Sequence, residues 1–359
     1  MVRLLFITLS FSFFYSNLFT QIIVTDINKN PIPFVQITSS NPYFFLQTDL
    51  TGQLYWSEIK KLNNSDTLFF HHISYEKVSK TKKDLLEKDT IILLEQIYNL
   101  KEFEVNVSKS KKKYQKISAC YRSFQIENDT VTYYTDGNVE YLSKIGKDNY
   151  NLLRKEYRTL SNKKQKNEHK YSIGITFLPT IPQPPFEYIP SKYIKKHNLI
   201  SRQITDNKLE LYNKDSILIG NIEITNQYIK YSLKSIHSNN SKALKTEVNI
   251  TKYDVVMLFR KNENIKPLSI KSFDDLVYTK TLREYKVKHK KDNNYLKINN
   301  FDELFIENVF YDSSSDNQEY LPRFGMPKES HYNSEFWKFC NCQEYYPPYQ
   351  EILKGLYEW

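Results

Sequence analysis

The segment Tyr285–Phe301, YKVKHKKDNNYLKINNF, illustrates a residue pattern that recurs through much of this chain. Apolar and polar residues alternate on both sides of a polar turn at Asp292-Asn293-Asn294. A period of two is typical of β-strands that bury one face. Similar segments precede it between residues 208 and 260: KLELY, SILIGNIEIT, QYIKYSLKSI and TEVNITKYDVVMLFR. We expect a long antiparallel meander in the second part of the chain.

The composition also favours a β-rich protein. The 359 residues include 29 Tyr and 22 Phe, which favour pleated, half-buried surfaces. There are only 7 Gly, so the turns must depend on Asn, Asp and Pro. The length is sufficient for two domains with separate cores, at roughly 100 to 200 residues per domain.

The first 21 residues, MVRLLFITLSFSFFYSNLFTQ, have the pattern of a secretory signal. Arg3 precedes an apolar run, Leu4–Phe19, that is too short for a comfortable membrane span. We expect cleavage near Thr20 or Gln21, and no Cys follows the run that could carry a lipid. The sequence therefore predicts an exported protein that is periplasmic or associated with the outer membrane and is not a lipoprotein.

The formal net charge is +10, and it is spread along the chain except for one cluster, Lys109–Lys113. A basic surface can bind nucleic acid, anionic lipid or acidic polysaccharide. Because we expect export, we do not expect nucleic acid as a partner. A Lys-rich composition that keeps the protein soluble is the simpler interpretation, and peripheral membrane contact stays open.

Residues 22–107 contain short alternating segments separated by turn signals. Turns are indicated at Asn28–Pro31 and Leu50–Gln53, and EFEVNV, residues 102–107, alternates cleanly. Such spacing predicts a β-sandwich with its own core. Within it, Val35 and Ile37 should share one buried face.

These residues, in this order, resemble the carboxypeptidase-like regulatory domain of Bacteroidota envelope proteins. The matching segments are Ile23–Asp26, Asn30–Ile37, Thr48–Leu54, Asp66–Tyr75, Ile91–Leu94 and Leu100–Val107. Two positions depart from the family pattern: Ser74 stands where a Gly is usual, and Phe103 interrupts a run of Val. The resemblance implies a seven-stranded, transthyretin-like sandwich that is accessory and not catalytic.

A basic linker is expected at residues 108–118, and an antiparallel β domain at residues 119–335. This second domain begins with ACYRSFQIENDTVTYYTDGNVEYL, in which Asp136-Gly137 is a favoured hairpin turn pair. The segment resembles the region after the linker in longer regulatory-domain proteins, with Tyr121 and Arg122 at a motif position. The resemblance implies a curved antiparallel sheet. The Pro-rich segment 179–190 cannot be an interior strand, and we expect a loop or lid there, followed by a short helix.

The final segment, residues 336–359, is predicted to be an aromatic strap or helix. Phe336, Trp337 and Phe339 should pack it against the sheet, with Trp337 across a sheet edge. The remaining aromatic residues of this segment are candidates for stacking on a ligand or partner: Tyr345, Tyr346, Tyr349 and Trp359.

No known catalytic motif is present in the sequence. There is no G-x-S-x-G, P-loop, G-x-G-x-x-G or H-E-x-x-H. Cys120, Cys340 and Cys342 are too few for a disulfide scaffold, and we expect free thiols, although one bridge from Cys120 remains an alternative. We expect no catalytic residue, no cofactor and no metal site.

The sequence thus predicts a mainly β, non-enzymatic cell-envelope protein. Its sandwich would serve in docking, or in binding a protein or glycan of the envelope. A periplasmic carrier or chaperone for lipid or outer-membrane protein, using a concave face of the second domain, is the first alternative. An unrecognised hydrolase is the second alternative. The oligomeric state cannot be predicted from this sequence.

Overall fold

The computed structural model confirms the mainly β fold and divides the chain into two compact units, residues 1–100 and 101–359. The structure describes residues 21–32, 35–39, 45–48, 51–72, 75–86, 90–95, 112–128, 130–147, 149–162, 181–225, 228–234, 240–243, 245–262, 266–313, 329–338, 353 and 355–358.

The described residues of the first unit form seven strands in two sheets. They are β1 (Gln21–Thr25), β2 (Gln36–Ser39), β3 (Phe45–Gln47), β4 (Gln53–Tyr55), β5 (Thr67–His72), β6 (Tyr75–Thr81) and β7 (Thr90–Ile92). One sheet has the order β4-β1-β7, with β1 and β7 parallel, and the other has the order β3-β2-β5-β6. Two short helices complete the described part of this unit, α1 (Trp56–Ile59) and α2 (Lys82–Leu86).

Both sheets contribute to one apolar core. Ile22 and Val24 of β1 and Leu68 and Phe70 of β5 are buried in it, because alternate residues of a strand point to the same side. Ile37 and Val35, which precedes β2, are buried in the same core. Two sheets on a shared core make this unit a β-sandwich.

The turns of this unit follow the sequence signals. Asp26 Oδ1 accepts hydrogen bonds from the backbone N–H groups of Asn28 and Asn30, each at 2.8 Å. Gly52 has φ +71°, and a Cβ there would lie 2.7 Å from the carbonyl oxygen of Val24. Only glycine fits this turn without displacing the backbone.

The second unit is dominated by one twelve-stranded sheet. Its strands are β8 (Tyr114–Glu127), β9 (Thr130–Lys144), β10 (Tyr150–Ser161), β11 (Ile200–Thr205), β12 (Lys208–Tyr212), β13 (Leu218–Ile224), β14 (Tyr228–Lys234), β15 (Asn240–Ala243), β16 (Thr246–Arg260), β17 (Leu276–His289), β18 (Leu296–Asp312) and β19 (Tyr357–Glu358). Their order is β11-β12-β13-β14-β16-β17-β18-β8-β9-β10-β19, and β15 pairs with β16. All pairs in this sheet are antiparallel, as expected of a meander.

The predicted linker is too long. Strand β8 begins at Tyr114, so residues 114–118 belong to the sheet and not to a connector. Ile117 packs in the core, and the buried Lys116 lies 3.5 Å from the Asp312 carboxylate. The density of lysine in this stretch concealed an alternating strand.

The hairpin predicted at Asp136-Gly137 is also wrong, because both residues lie in the middle of β9. The connection between β8 and β9 is instead at Asn128, which has φ +44°. A Cβ on Gly137 would lie 2.5 Å from the carbonyl oxygen of Glu156 and 2.9 Å from the Tyr121 ring. This glycine allows a close approach across the sheet, and it does not form a turn.

The large sheet has two chemically different faces. On the apolar face, Tyr121, Met257 and Leu304 belong to one buried cluster. This face is covered by the Pro-rich segment, which forms a 3₁₀ turn at Phe186–Tyr188 and helix α3 (Pro190–Lys196). The described part of that segment, residues 181–190, therefore covers the sheet and contains no strand. This agrees with the prediction that the Pro-rich segment is a loop or lid. The residues that alternate with those of the apolar face form the opposite face, which bears Arg122, Glu303 and Lys280 and which we call the charged face; Phe124 and Phe301 are buried on it as well.

Candidate functional site

A row of charged side chains crosses five neighbouring strands on the charged face. Arg158 of β10 pairs in register with Asp136 of β9, which pairs with Arg122 of β8. Arg122 pairs in turn with Glu303 of β18, and Glu303 with Lys280 of β17. All five are buried, and their charges alternate in sign. We call this row the charge ladder.

The first rung of the charge ladder is a two-point ion pair. Arg158 donates from Nε to Asp136 Oδ1 at 2.9 Å and from Nη2 to Oδ2 at 2.5 Å. The Tyr134 hydroxyl also donates to Asp136, at 3.0 Å. This planar geometry is the one that arginine and carboxylate groups favour, and it holds both side chains in place.

The second rung joins Arg122 and Glu303. Nε and Nη2 of Arg122 lie 3.1 Å and 2.9 Å from the same carboxylate oxygen, Oε2. The Tyr278 hydroxyl donates to the other oxygen at 2.6 Å. The Phe305 ring lies 5.0 Å from the Arg122 guanidinium group and shields it from one side. Both oxygens of Glu303 are thus occupied.

The charge ladder ends at Lys280, which is 5% exposed. Its Nζ makes no hydrogen bond and no ion pair with any described residue, and Glu303 acts on it only through charge. Burial lowers the pKa of Lys280 to about 8, and the charge of Glu303 opposes this shift. A buried ammonium group without a partner is costly, which is why it is rare in a protein core.

Further polar groups without partners continue the row beyond Lys280. The next positions in register are Val256 of β16, Ser232 of β14 and Asn221 of β13. Ser232 is fully buried and Asn221 nearly so, yet Ser232 Oγ and Asn221 Oδ1 have no hydrogen-bond partner. Buried polar atoms are normally satisfied by protein or water, so these two unsatisfied atoms are candidates for contact with another molecule.

Asp254 of β16 lies two residues from Val256, at the next position on the same face. It is buried, and burial raises the pKa of its carboxyl, while the charge of Lys252 opposes the shift. Lys252 Nζ lies 3.2 Å from its Oδ2. On the other side of the row, Lys230 of β14 forms an ion pair with Glu223 of β13. Lys280, Ser232 and Asn221 therefore lie between two ion pairs, and the Asn221 amide nitrogen donates to Glu223 at 3.4 Å. We call these three residues the Lys280 site.

The Lys280 site offers donors and acceptors on rigid strands. An ammonium group, a hydroxyl and an amide can hold and orient a polar ligand. Within the described ranges, no group of three His, Cys, Asp or Glu side chains is placed to hold a metal ion.

Sequence reasoning missed the Lys280 site because its members lie on three different strands. The signal that was available is local. Within VYTKTL, residues 277–282, Lys280 falls on the same side as Tyr278 and Leu282, both of which are buried. A lysine at a core position of a strand is unusual and indicates either a partner or a function. Arg122, singled out by its motif position, is in the charge ladder.

The C-terminal residues named from the sequence are only partly placed. Tyr345, Tyr346, Tyr349, Trp359 and Phe339 lie outside the described residues. In the described part of this segment, Phe336–Lys338 forms a 3₁₀ turn. Phe336 is buried, and the half-buried Trp337 ring lies 3.8 Å from the Arg158 guanidinium group of β10. This turn therefore covers the Arg158 end of the charge ladder.

The expectation of free thiols is wrong for Cys120, because its sulfur forms a disulfide. The sequence contains two other cysteines, Cys340 and Cys342, and both lie outside the described residues. Free thiols were expected because three cysteines are too few for a disulfide scaffold. Three cysteines are enough for one bridge, and the alternative of a bridge from Cys120 is the one that the structure supports.

No known protein-family model and no curated protein matches this sequence. One solved structure, described as "Lipid-protein interactions in lipovitellin", matches 60% of this chain with 9% sequence identity and a TM-score of 0.25. This chain spans 28% of that protein. A TM-score at this level does not establish a shared fold. No helix in the described part of the chain is sufficiently long and apolar to cross a membrane.

Proposed function

We propose that this chain is a non-enzymatic binding protein of the cell envelope that holds a polar ligand on the charged face of its large sheet. The observation that carries the proposal is the Lys280 site: a buried lysine without an ion pair, in register with Ser232 Oγ and Asn221 Oδ1, two buried atoms that have no hydrogen-bond partner among the described residues. Evolution rarely retains such groups in a core unless a ligand satisfies them.

Two further features support this proposal. The apolar face, which a lipid carrier would use, is already covered by the chain's own residues Phe186, Tyr188 and Tyr193. The disulfide at Cys120 fits an oxidising compartment outside the cytoplasm. The sandwich unit, with its separate core, would serve as the docking module that its resemblance to regulatory domains implies.

Thermal melting in the presence of candidate ligands tests the proposal. The panel contains neutral sugars, sugar acids, amino acids and inorganic anions, each against wild-type protein and against Asn221→Ala and Ser232→Ala variants. We expect at least one compound to raise the Tm of the wild type saturably, because a ligand that binds only the folded state stabilises it. The two variants should bind that compound more weakly. If no compound binds, or if both variants bind like the wild type, the proposal is wrong.

A further inference from the structure

Lys280 is a cation whose neighbours do not neutralise it. Glu303, the nearest carboxylate in register, has one oxygen on Arg122 and the other on the Tyr278 hydroxyl. Asp254 is paired with Lys252. Each carboxylate thus forms an ion pair with another cation and neither forms one with Lys280, although the charges of both act on it.

The positions beside Lys280 add neutral polar groups and no further charge. Val256 has no polar side-chain atom, and the next residue in register is Ser232. Two strand steps separate Lys280 from Ser232, roughly 10 Å between backbones. A ligand group of a few atoms must bridge this distance to contact both residues.

We propose that an oxyanion of a small ligand, a carboxylate or a phosphate group, binds between Lys280 and Ser232. This inference rests on the proposed function and names the chemistry of its ligand. A negative group pairs with the ammonium and accepts a hydrogen bond from the Ser232 hydroxyl, so it satisfies both. A cationic ligand would be repelled by Lys280, and an uncharged ligand would leave its charge buried without a counterion.

Isothermal titration with inorganic phosphate, acetate, glucuronic acid and neutral glucose tests the inference at constant ionic strength. We expect one or more of the anions to bind and glucose to bind much more weakly. The shape of the preferred anion, tetrahedral or planar, distinguishes a phosphate source from a carboxylate source. Loss of a hydrogen bond to a charged group corresponds to about ten- to a hundredfold in affinity, so Lys280→Met should weaken binding by that factor.

Two further variants keep this test decisive. Lys286→Met is the matched control, because Lys286 lies on the same strand and the same face but is exposed, and it should bind the anion like the wild type. Lys280→Arg should retain part of the affinity because it keeps the charge. Anion binding that survives Lys280→Met overturns the inference. Binding of glucose that depends on Ser232 but not on Lys280 also overturns it, and leaves the proposed function standing.

Discussion

At the scale of single residues, Lys280 gives a testable link between pH and stability. Its pKa is about 8 in the folded protein, whereas an unfolded lysine has a pKa of roughly 10.4. Between these pH values the unfolded chain binds more protons than the folded chain, so the free energy of unfolding rises with pH. Below the lower value the burial cost is fully present. The charged groups around Lys280 are Glu303, Arg122, Asp254 and Lys252.

Denaturant unfolding of the wild type and of Lys280→Met over this pH range measures the effect. We expect Lys280→Met to be the more stable protein near neutral pH, by about 3 kcal/mol, and the difference to shrink as the pH rises towards 10. A variant that gains stability while losing anion binding would identify Lys280 as a functional residue. Parallel pH profiles for the two proteins would contradict the burial of an unpaired charge.

The pair Asp136-Gly137 shows where residue-level prediction fails. In a sequence, Asp-Gly between β-forming residues indicates a hairpin turn, and the wrong prediction followed from that rule. In the structure, Asp136 forms an ion pair with Arg158. Position 137 requires glycine because the Glu156 carbonyl leaves no room for a Cβ. Both reasons lie in β10, some twenty residues later, and no local pattern contains them.

At the scale of elements, the first rung of the charge ladder can be tested by a double-mutant cycle. Arg158→Met removes the guanidinium group, with its contact to Trp337, and leaves the Asp136 charge buried, so it should cost on the order of 3 to 5 kcal/mol. Asp136→Leu together with Arg158→Met should recover most of this loss, because no charge is then left unpaired. Thermal or urea unfolding of both single variants and the double variant measures the coupling. Additive losses would mean that the pair does not act as a unit.

The strands themselves were largely predictable, and the charge ladder was not. Alternation is a property of each strand alone, so segments such as Lys208–Tyr212 and Thr246–Arg260 could be recognised from their own residues. The charge ladder requires the register between β17, β18 and β8, and β8 lies more than 150 residues before β17. Its members look like ordinary surface charges until that pairing is known.

At the scale of the whole molecule, the division into a sandwich and a large sheet followed from length, strand spacing and turn signals. The seven strands of the first unit have their own core, which includes Val35 and Ile37. What the sequence did not predict is the cross-link at Cys120, because the pairing of distant cysteines depends on the fold.

Reduction of the disulfide gives a prediction for the whole second unit. Removal of a native disulfide typically costs about 2 to 5 kcal/mol, so dithiothreitol should lower the Tm of the wild type. Cys120→Ser should melt at a similarly lowered temperature and should not respond to dithiothreitol. Melting curves of both proteins with and without the reductant provide the measurement. A wild-type Tm that is unchanged by complete reduction would show that the bridge does not contribute to stability.

The alternating signs of the charge ladder also favour one register between neighbouring strands. Strands β8 and β18 are long enough to pair in several frames that keep apolar residues on one side. A slip of two residues would place Arg122 opposite Phe301 or Phe305 in place of Glu303 and would bury an uncompensated charge. Misaligned pairings of β8 with β18 are therefore disfavoured relative to the native register.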